Sequence, residues 1–193
     1  MGLLLIEQAF NGLQFGVMLF LIAAGLTLVF GIMDLVNLSH GSLVMVGAYL
    51  ATTLIEWTGS FILGILLALP STFLVGVVVE IVVLRTLYER DHLDQVLATF
   101  GLILFFNELI RIVWGPASLY SGLPESISGH VEILPGVPYP AFRLLIILVG
   151  LLVALLIYFI VARTKLGMLI RAGASNREMA GALGVNIRML FTL

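Results

Sequence analysis

The chain has 193 residues, 61% of them hydrophobic and only 10% charged, against about 25% charged in ordinary soluble domains, and its mean hydropathy is +1.20. Nine Lys and Arg against eleven Asp and Glu leave a net charge of -2, so no basic field exists to attract nucleic acid. Cysteine is absent, which excludes disulfides, thiol nucleophiles and thiolate metal sites.

A composition this apolar predicts an integral membrane protein. The N-terminal MGLLLIEQAF lacks the Lys or Arg that opens a secretory signal, and its apolar run outlasts a signal core. It therefore predicts the first membrane span. A helix needs about 20 apolar residues to cross the hydrocarbon core. Five stretches of that size follow in order: Ala9 to Phe30, Val36 to Ile55, Phe61 to Leu84, Val96 to Trp114 and Arg143 to Ala162. None alternates with the period of two that a barrel strand requires, so the fold class is all-α, a polytopic membrane protein whose residues 1–193 form a single transmembrane domain. Gly12 with Gly16, and Gly47 with Ala51, are small pairs at spacing four that predict close helix packing. Pro70 predicts a kink in the third span.

Between the first two spans lies GIMDLVNLSHG, Gly31 to Gly41, a polar knot in a stretch otherwise free of charge from Gln8 to Ile55. Asn37 or Ser39 could cap a helix running from about Gly41 to Ile55, accepting from backbone N–H groups that lipid would leave unsatisfied. Two readings stay open. One is a tight cytoplasmic turn, with Asp34 and His40 reaching the inner interface. The other is a helix that starts within the bundle, its positive dipole end and Gly41 facing a polar cavity. A catalytic use is disfavoured, because Ser39 and His40 are adjacent and would point about 100° apart on a helix. No HExxH spacing is present, so neither a metal nor a cofactor is implied.

Basic residues collect in cytoplasmic loops. Arg85 and Arg90 fall between spans three and four, and Arg163, Lys165, Arg171, Arg177 and Arg188 follow span five, leaving only Arg111 and Arg143 beside the opposite loop. Seven against two places the N-terminus outside, the Gly31 turn inside and residues 115–142 outside. That last segment carries five of the six prolines (Pro116, Pro124, Pro135, Pro138 and Pro140) and predicts an ordered extracytoplasmic loop. Glu108 and Arg111, at i, i+3, predict a local ion pair. Glu80, near the inner end of span three, is expected to snorkel to the interface.

The cytoplasmic segment 163–190 contains RAGASNREMAGALGVN, Arg171 to Asn186. Ser175 to Glu178 spells a capping box, and Gly184 stands where a left-handed C-cap would end the helix. The helix between, Asn176 to Leu183, is about 12 Å long and too short to be stable alone. Met179, Ala180 and Leu183 share a face that something must cover, either the membrane interface and neighbouring loops or a soluble protein that grips the helix. The chain closes on NIRMLFTL as a new apolar run begins, from which a truncated C-terminus is expected.

These two motifs carry a resemblance. GLTLVFGIMDLVNLSHGSLVMVGAYLA, Gly25 to Ala51, closely resembles the signature of permeases of branched-chain amino acid ABC transporters, including the spacing of Gly31, Asn37, His40, Gly41, Gly47 and Ala48. GMLIRAGASNREMAGALGVN, Gly167 to Asn186, resembles that family's cytoplasmic loop, with Arg171, Ala172, Asn176, Ala180, Gly184 and Asn186 in register. It is also similar to the looser EAA-x-x-x-G coupling motif of ABC importers, with Glu178, Ala180 and Gly184 fitting and Met179 departing.

The resemblance implies an inner-membrane translocation subunit, not itself an enzyme. Its implied partners are a second related permease, two cytoplasmic ATPase subunits, an extracytoplasmic solute-binding protein and the lipid bilayer. The residues given hold no G-x-x-x-x-G-K-[ST] phosphate loop, so the ATPase is expected on separate subunits. Asn37, Ser39, His40 and Gly41 become residues beside a solute path. Ser175, Asn176, Glu178, Met179, Ala180, Leu183 and Gly184 become the coupling helix and its caps. The expected solute is a branched-chain or other small apolar amino acid. The alternatives are a permease for urea or short amides, a passive channel or structural subunit, and an intramembrane hydrolase.

Overall fold

The structure is a computed structural model that describes residues 2–33, 35–88, 90–117, 119, 122–124, 127–134 and 137–184, without the side chains of Leu3, Ile32, Met33, Leu134, Val137, Arg177 and Glu178. Its elements are α1 (Gly2–Met33), α2 (His40–Thr58), α3 (Phe61–Val79), a π-helical stretch (Glu80–Leu84), α4 (Arg85–Leu87), α5 (His92–Trp114), β1 (His130–Leu134), β2 (Val137–Pro140), α6 (Ala141–Arg163), α7 (Lys165–Ser175) and α8 (Arg177–Ala182). Each of the five expected spans corresponds to a long helix. Among the described residues, four helices are long and apolar enough to cross a membrane: Leu4–Gly31, Phe61–Leu87, His92–Trp114 and Ala141–Arg163. α2 does not reach that apolarity over its 19 residues, because His40 opens it and Glu56 lies near its end. Many of the apolar side chains stay exposed, among them Leu66, Leu69, Leu155 and Leu156, as lipid-facing side chains are.

The chain falls into two compact units. The first comprises Met1–Gly25 and Leu123–Arg171. Here Gly150 of α6 sits where a Cβ would meet Val17 of α1, a close approach that only glycine allows. Within the segment expected outside, β1 and β2 pair antiparallel, His130 with Pro140, Val131 with Tyr139 and Glu132 with Pro138, with a bulge between Glu132 and Leu134. Tyr139 is fully buried, its ring 5.6 Å from that of Phe10 and its hydroxyl donating to Asn11 Oδ1 at 3.1 Å. Arg143 Nη1 donates to the same oxygen at 2.7 Å, so the start of α6 and the hairpin share one anchor on α1.

The second unit comprises Leu26–Gly122 and Ala172–Leu193. α2 and α3 pack most extensively, as an antiparallel hairpin. Gly59 ends α2 in the left-handed region (φ +64°), its N–H donating to Ile55 O at 2.9 Å, and Ser60 accepts from Leu63 N–H to open α3. Gly64 must be glycine, since a Cβ there would lie 2.6 Å from the Cα of Ile55. Gly47 also meets α3 closely, a Cβ there lying 3.1 Å from Thr72 Cγ2, whereas Gly12 and Gly16 face open space. Pro70 lies inside α3. Leu35, Val46, Val79, Leu84, Leu87, Phe106 and Ile110 form the core where α2, α3, α4 and α5 meet.

Candidate functional site

The polar knot is a helix break. α1 ends at Met33, Asp34 lies outside the described residues, and Leu35 to Ser39 are non-helical before α2 begins at His40. Leu35, Asn37 and Ser39 are buried. The expected cap is not made: Ser39 occupies the N-cap position of α2, but no side chain accepts there. Instead Asn37 Oδ1 accepts from both the Ser39 N–H (3.0 Å) and the Ser39 hydroxyl (2.7 Å). This is an Asx turn, in which asparagine satisfies the backbone two residues on and leaves nothing to spare for the helix N–H groups. The Ser39 hydroxyl is thereby given to an amide oxygen, not to a base. His40 is half-buried and Gly41 exposed.

What holds the break is α5, which the motif reading missed. Gln95 Oε1 accepts from Val36 N–H at 3.1 Å, and Thr99 Oγ1 donates to Val36 O at 3.3 Å and to Gln95 O at 2.7 Å. Both polar groups of Val36, orphaned by the break, thus find partners on α5. Irregular backbone at such a position is tolerated when it is buried in protein. The available signal was two polar residues, Gln95 and Thr99, at i, i+4 on one face of α5.

A second buried cluster corrects the expectation for Glu80. Its side chain does not snorkel: the residue is 6% exposed and its carboxylate accepts from Arg85 Nε (3.2 Å), Arg85 Nη2 (3.0 Å) and Tyr88 Oη (2.8 Å). Glu80 opens the π-helical stretch. On an α-helix residues five apart point about 140° from each other. A turn closing at i+5 brings Arg85 back over Glu80. Burial, and then the bond to Glu80, push the Tyr88 hydroxyl above its ordinary range, so it stays protonated and donating. The Glu108 to Arg111 pair is present at 3.9 Å and is exposed.

The second sequence constellation follows an elbow. Thr164 separates α6 from α7, its Oγ1 accepting from Gly167 N–H at 3.1 Å and donating to Ile160 O at 2.6 Å. A Cβ on Gly167 would strike the carbonyl oxygens of Ile160 and Val161, and Arg171 donates to the Val161 carbonyl. α7 then runs through Ser175. Ser175 is therefore helical and cannot serve as the predicted cap. Asn176, with extended backbone (φ -157°, ψ 105°), takes that place, and its side chain accepts from Met179 N–H at 2.9 Å. The returning half of the box falls on the Glu178 side chain, which lies outside the described residues. α8 ends as expected at Gly184, in the left-handed region at φ +87°. Ala180 is buried, while Met179 and Leu183 are 60% and 79% exposed. The shared face is thus divided, with one small residue inward and two large apolar ones outward. Asn186 and Arg188 lie outside the described residues.

Long apolar helices and a protein-buried helix break define a polytopic membrane protein. Among known families, the one described as "Branched-chain amino acid transport system / permease component" matches residues 8–193, and the chain belongs to it. It is 28% identical over 201 residues to the high-affinity branched-chain amino acid transport system permease protein BraD of Pseudomonas aeruginosa, covering 97% of this chain and 65% of that protein. Identity is 26% over 202 residues to the corresponding permease protein LivH of Escherichia coli, with the same coverage. A probable branched-chain amino acid transport permease protein LivH of Methanocaldococcus jannaschii is 28% identical over 185 residues, 88% of this chain and 55% of that protein. The chain thus spans 65% of the length of the first two relatives. No solved structure matches it. The chain is thus a multi-pass membrane segment of that permease family.

Proposed function

We propose that this chain is the translocation subunit of an ATP-binding-cassette importer for branched-chain or other small apolar amino acids. The family match over residues 8–193 carries the reading. The transporter pairs this subunit with a second, related permease, two cytoplasmic ATPase subunits and an extracytoplasmic solute-binding protein, in a bacterial inner membrane. Solute moves by alternating access as ATP binds and is hydrolysed on the partner subunits. The N-terminus and residues 115–142 face outward, in keeping with the distribution of Lys and Arg. Asn37, Ser39, His40 and Gly41 flank the solute path, where a buried helix break offers polar groups that continuous helices would keep to themselves.

α8 is the coupling helix. It is too short to persist alone, is capped by Asn176 and closed by Gly184, and presents Met179 and Leu183 to a partner. The test is affinity purification of the complete transporter with Met179→Asp and Leu183→Asp changes. A charge placed in an apolar contact leaves the ATPase behind while the permease is still recovered from the membrane. Undiminished ATPase recovery would remove α8 from this role. Competition of unlabelled leucine, urea and acetamide against labelled leucine uptake decides the solute class; inhibition by urea in place of leucine would favour the amide reading.

A further inference from the structure

Gln95 is 3% exposed and its amide is fully engaged. Nε2 donates to the carbonyls of Leu87 (3.3 Å) and Arg90 (3.1 Å), while Oε1 accepts from Val36 N–H (3.1 Å) and lies 3.3 Å from His92 Nδ1. A side-chain amide has two donor hydrogens and two acceptor lone pairs, and here every one has a neighbour. One side chain therefore joins two irregular pieces of backbone: the turn that follows α4 and the break that precedes α2. Both lie at places where a helix has stopped and its own ladder cannot satisfy every backbone group. The turn has a second anchor, since Tyr88 within it donates to buried Glu80.

Neither leucine nor glutamate meets these demands. Leucine would strand the Val36 N–H and take the side-chain donor from the Arg90 carbonyl and from that of Leu87, which keeps only the Arg90 N–H. Glutamate would keep the acceptor for Val36 but set a carboxylate oxygen against the carbonyls of Leu87 and Arg90. We propose that Gln95 is a positioning residue that couples the α1–α2 break to the α4–α5 turn, so that the two shift as one piece when the transporter changes state. The proposal deepens the permease reading and rests on it. Thr99, one turn further along α5, holds the carbonyl of the same Val36 and keeps the break seated on that helix.

Residues 1–193 hold no cysteine, so Leu38→Cys in the exposed part of the break supplies the one reporter thiol among them, with any cysteine elsewhere in the subunit replaced. The complete transporter is reconstituted in liposomes, and thiol labelling is timed without nucleotide and after trapping with ATP and vanadate, with labelled leucine uptake measured in parallel. With Gln95 intact, the labelling rates in the two states are expected to differ by at least about fivefold, the lower end of coupling between sites. Gln95→Leu makes the two rates equal and suppresses uptake while the subunit remains assembled. Gln95→Glu, which keeps the bond to Val36, falls between. Unchanged rate ratios and uptake in both variants would overturn the proposal, and so would loss of the assembled subunit in both, which would assign Gln95 to stability alone. A transporter with native Gln95 that shows no response to ATP in either labelling or uptake would instead overturn the permease reading and the proposal with it.

Discussion

Glu80 shows how a single side chain can dictate backbone geometry. A carboxylate removed from water is tolerable only when paired and hydrogen-bonded, and its partner Arg85 is five residues on, a spacing no α-helix brings together. The π-helical stretch resolves that conflict by closing one residue later. The pair is asymmetric, because Glu80 is buried while the Arg85 side chain is 44% exposed. Arg85→Ala strands a buried charge and is expected to cost about 3 kcal/mol, the low end for breaking a buried pair. Glu80→Gln should cost less, since the freed guanidinium can reach water. Thermal unfolding of the detergent-purified protein measures both, and a larger loss for Glu80→Gln would contradict this account of the cluster.

At the scale of elements, α8 depends on its ends. Asn176→Ala removes the acceptor for Met179 N–H and is expected to cost about 1 kcal/mol of helix stability, a roughly fivefold faster amide exchange at Met179. Ser175→Ala should leave that exchange unchanged, although serine opens the capping box that the sequence spells. Hydrogen exchange read by mass spectrometry separates the two; equal effects would restore Ser175 as the cap. The case illustrates what was legible. Long apolar runs announced α1, α3, α5 and α6, because crossing lipid leaves few alternatives to a helix. The prolines of residues 115–142 pointed to a loop and gave no sign of the β1–β2 pairing, as prolines at 138 and 140 argue against strand pairing except at an edge. Asn37 and Ser39 were legible as a polar knot. The partners of neighbouring Val36, Gln95 and Thr99, 59 and 63 residues away, were not. Local patterns encode caps and turns, whereas a bond between distant segments becomes visible only once the helices are packed. Glu80 was misread for a related reason, since rules for i+3 and i+4 neighbours do not anticipate a π turn.

For the whole molecule, the distribution of Lys and Arg predicts an orientation that the absence of cysteine from residues 1–193 helps to check. A membrane-impermeant thiol reagent is expected to label Glu132→Cys on the β1–β2 hairpin in intact cells, and Ser175→Cys at the end of α7 only after the membrane is opened. The reverse pattern would invert the topology and with it the assignment of α8 to the ATPase side. The proposal at the centre of this account is that the complete transporter moves amino acids at the expense of ATP and that α8 is the short helix that its motor grips. Uptake of labelled leucine into proteoliposomes holding the complete transporter tests it most directly. Uptake should require ATP and the solute-binding protein, and Leu183→Asp should reduce it to background with the permease still folded. Leucine flux that proceeds without ATP, or that survives the change in α8, would contradict the claim.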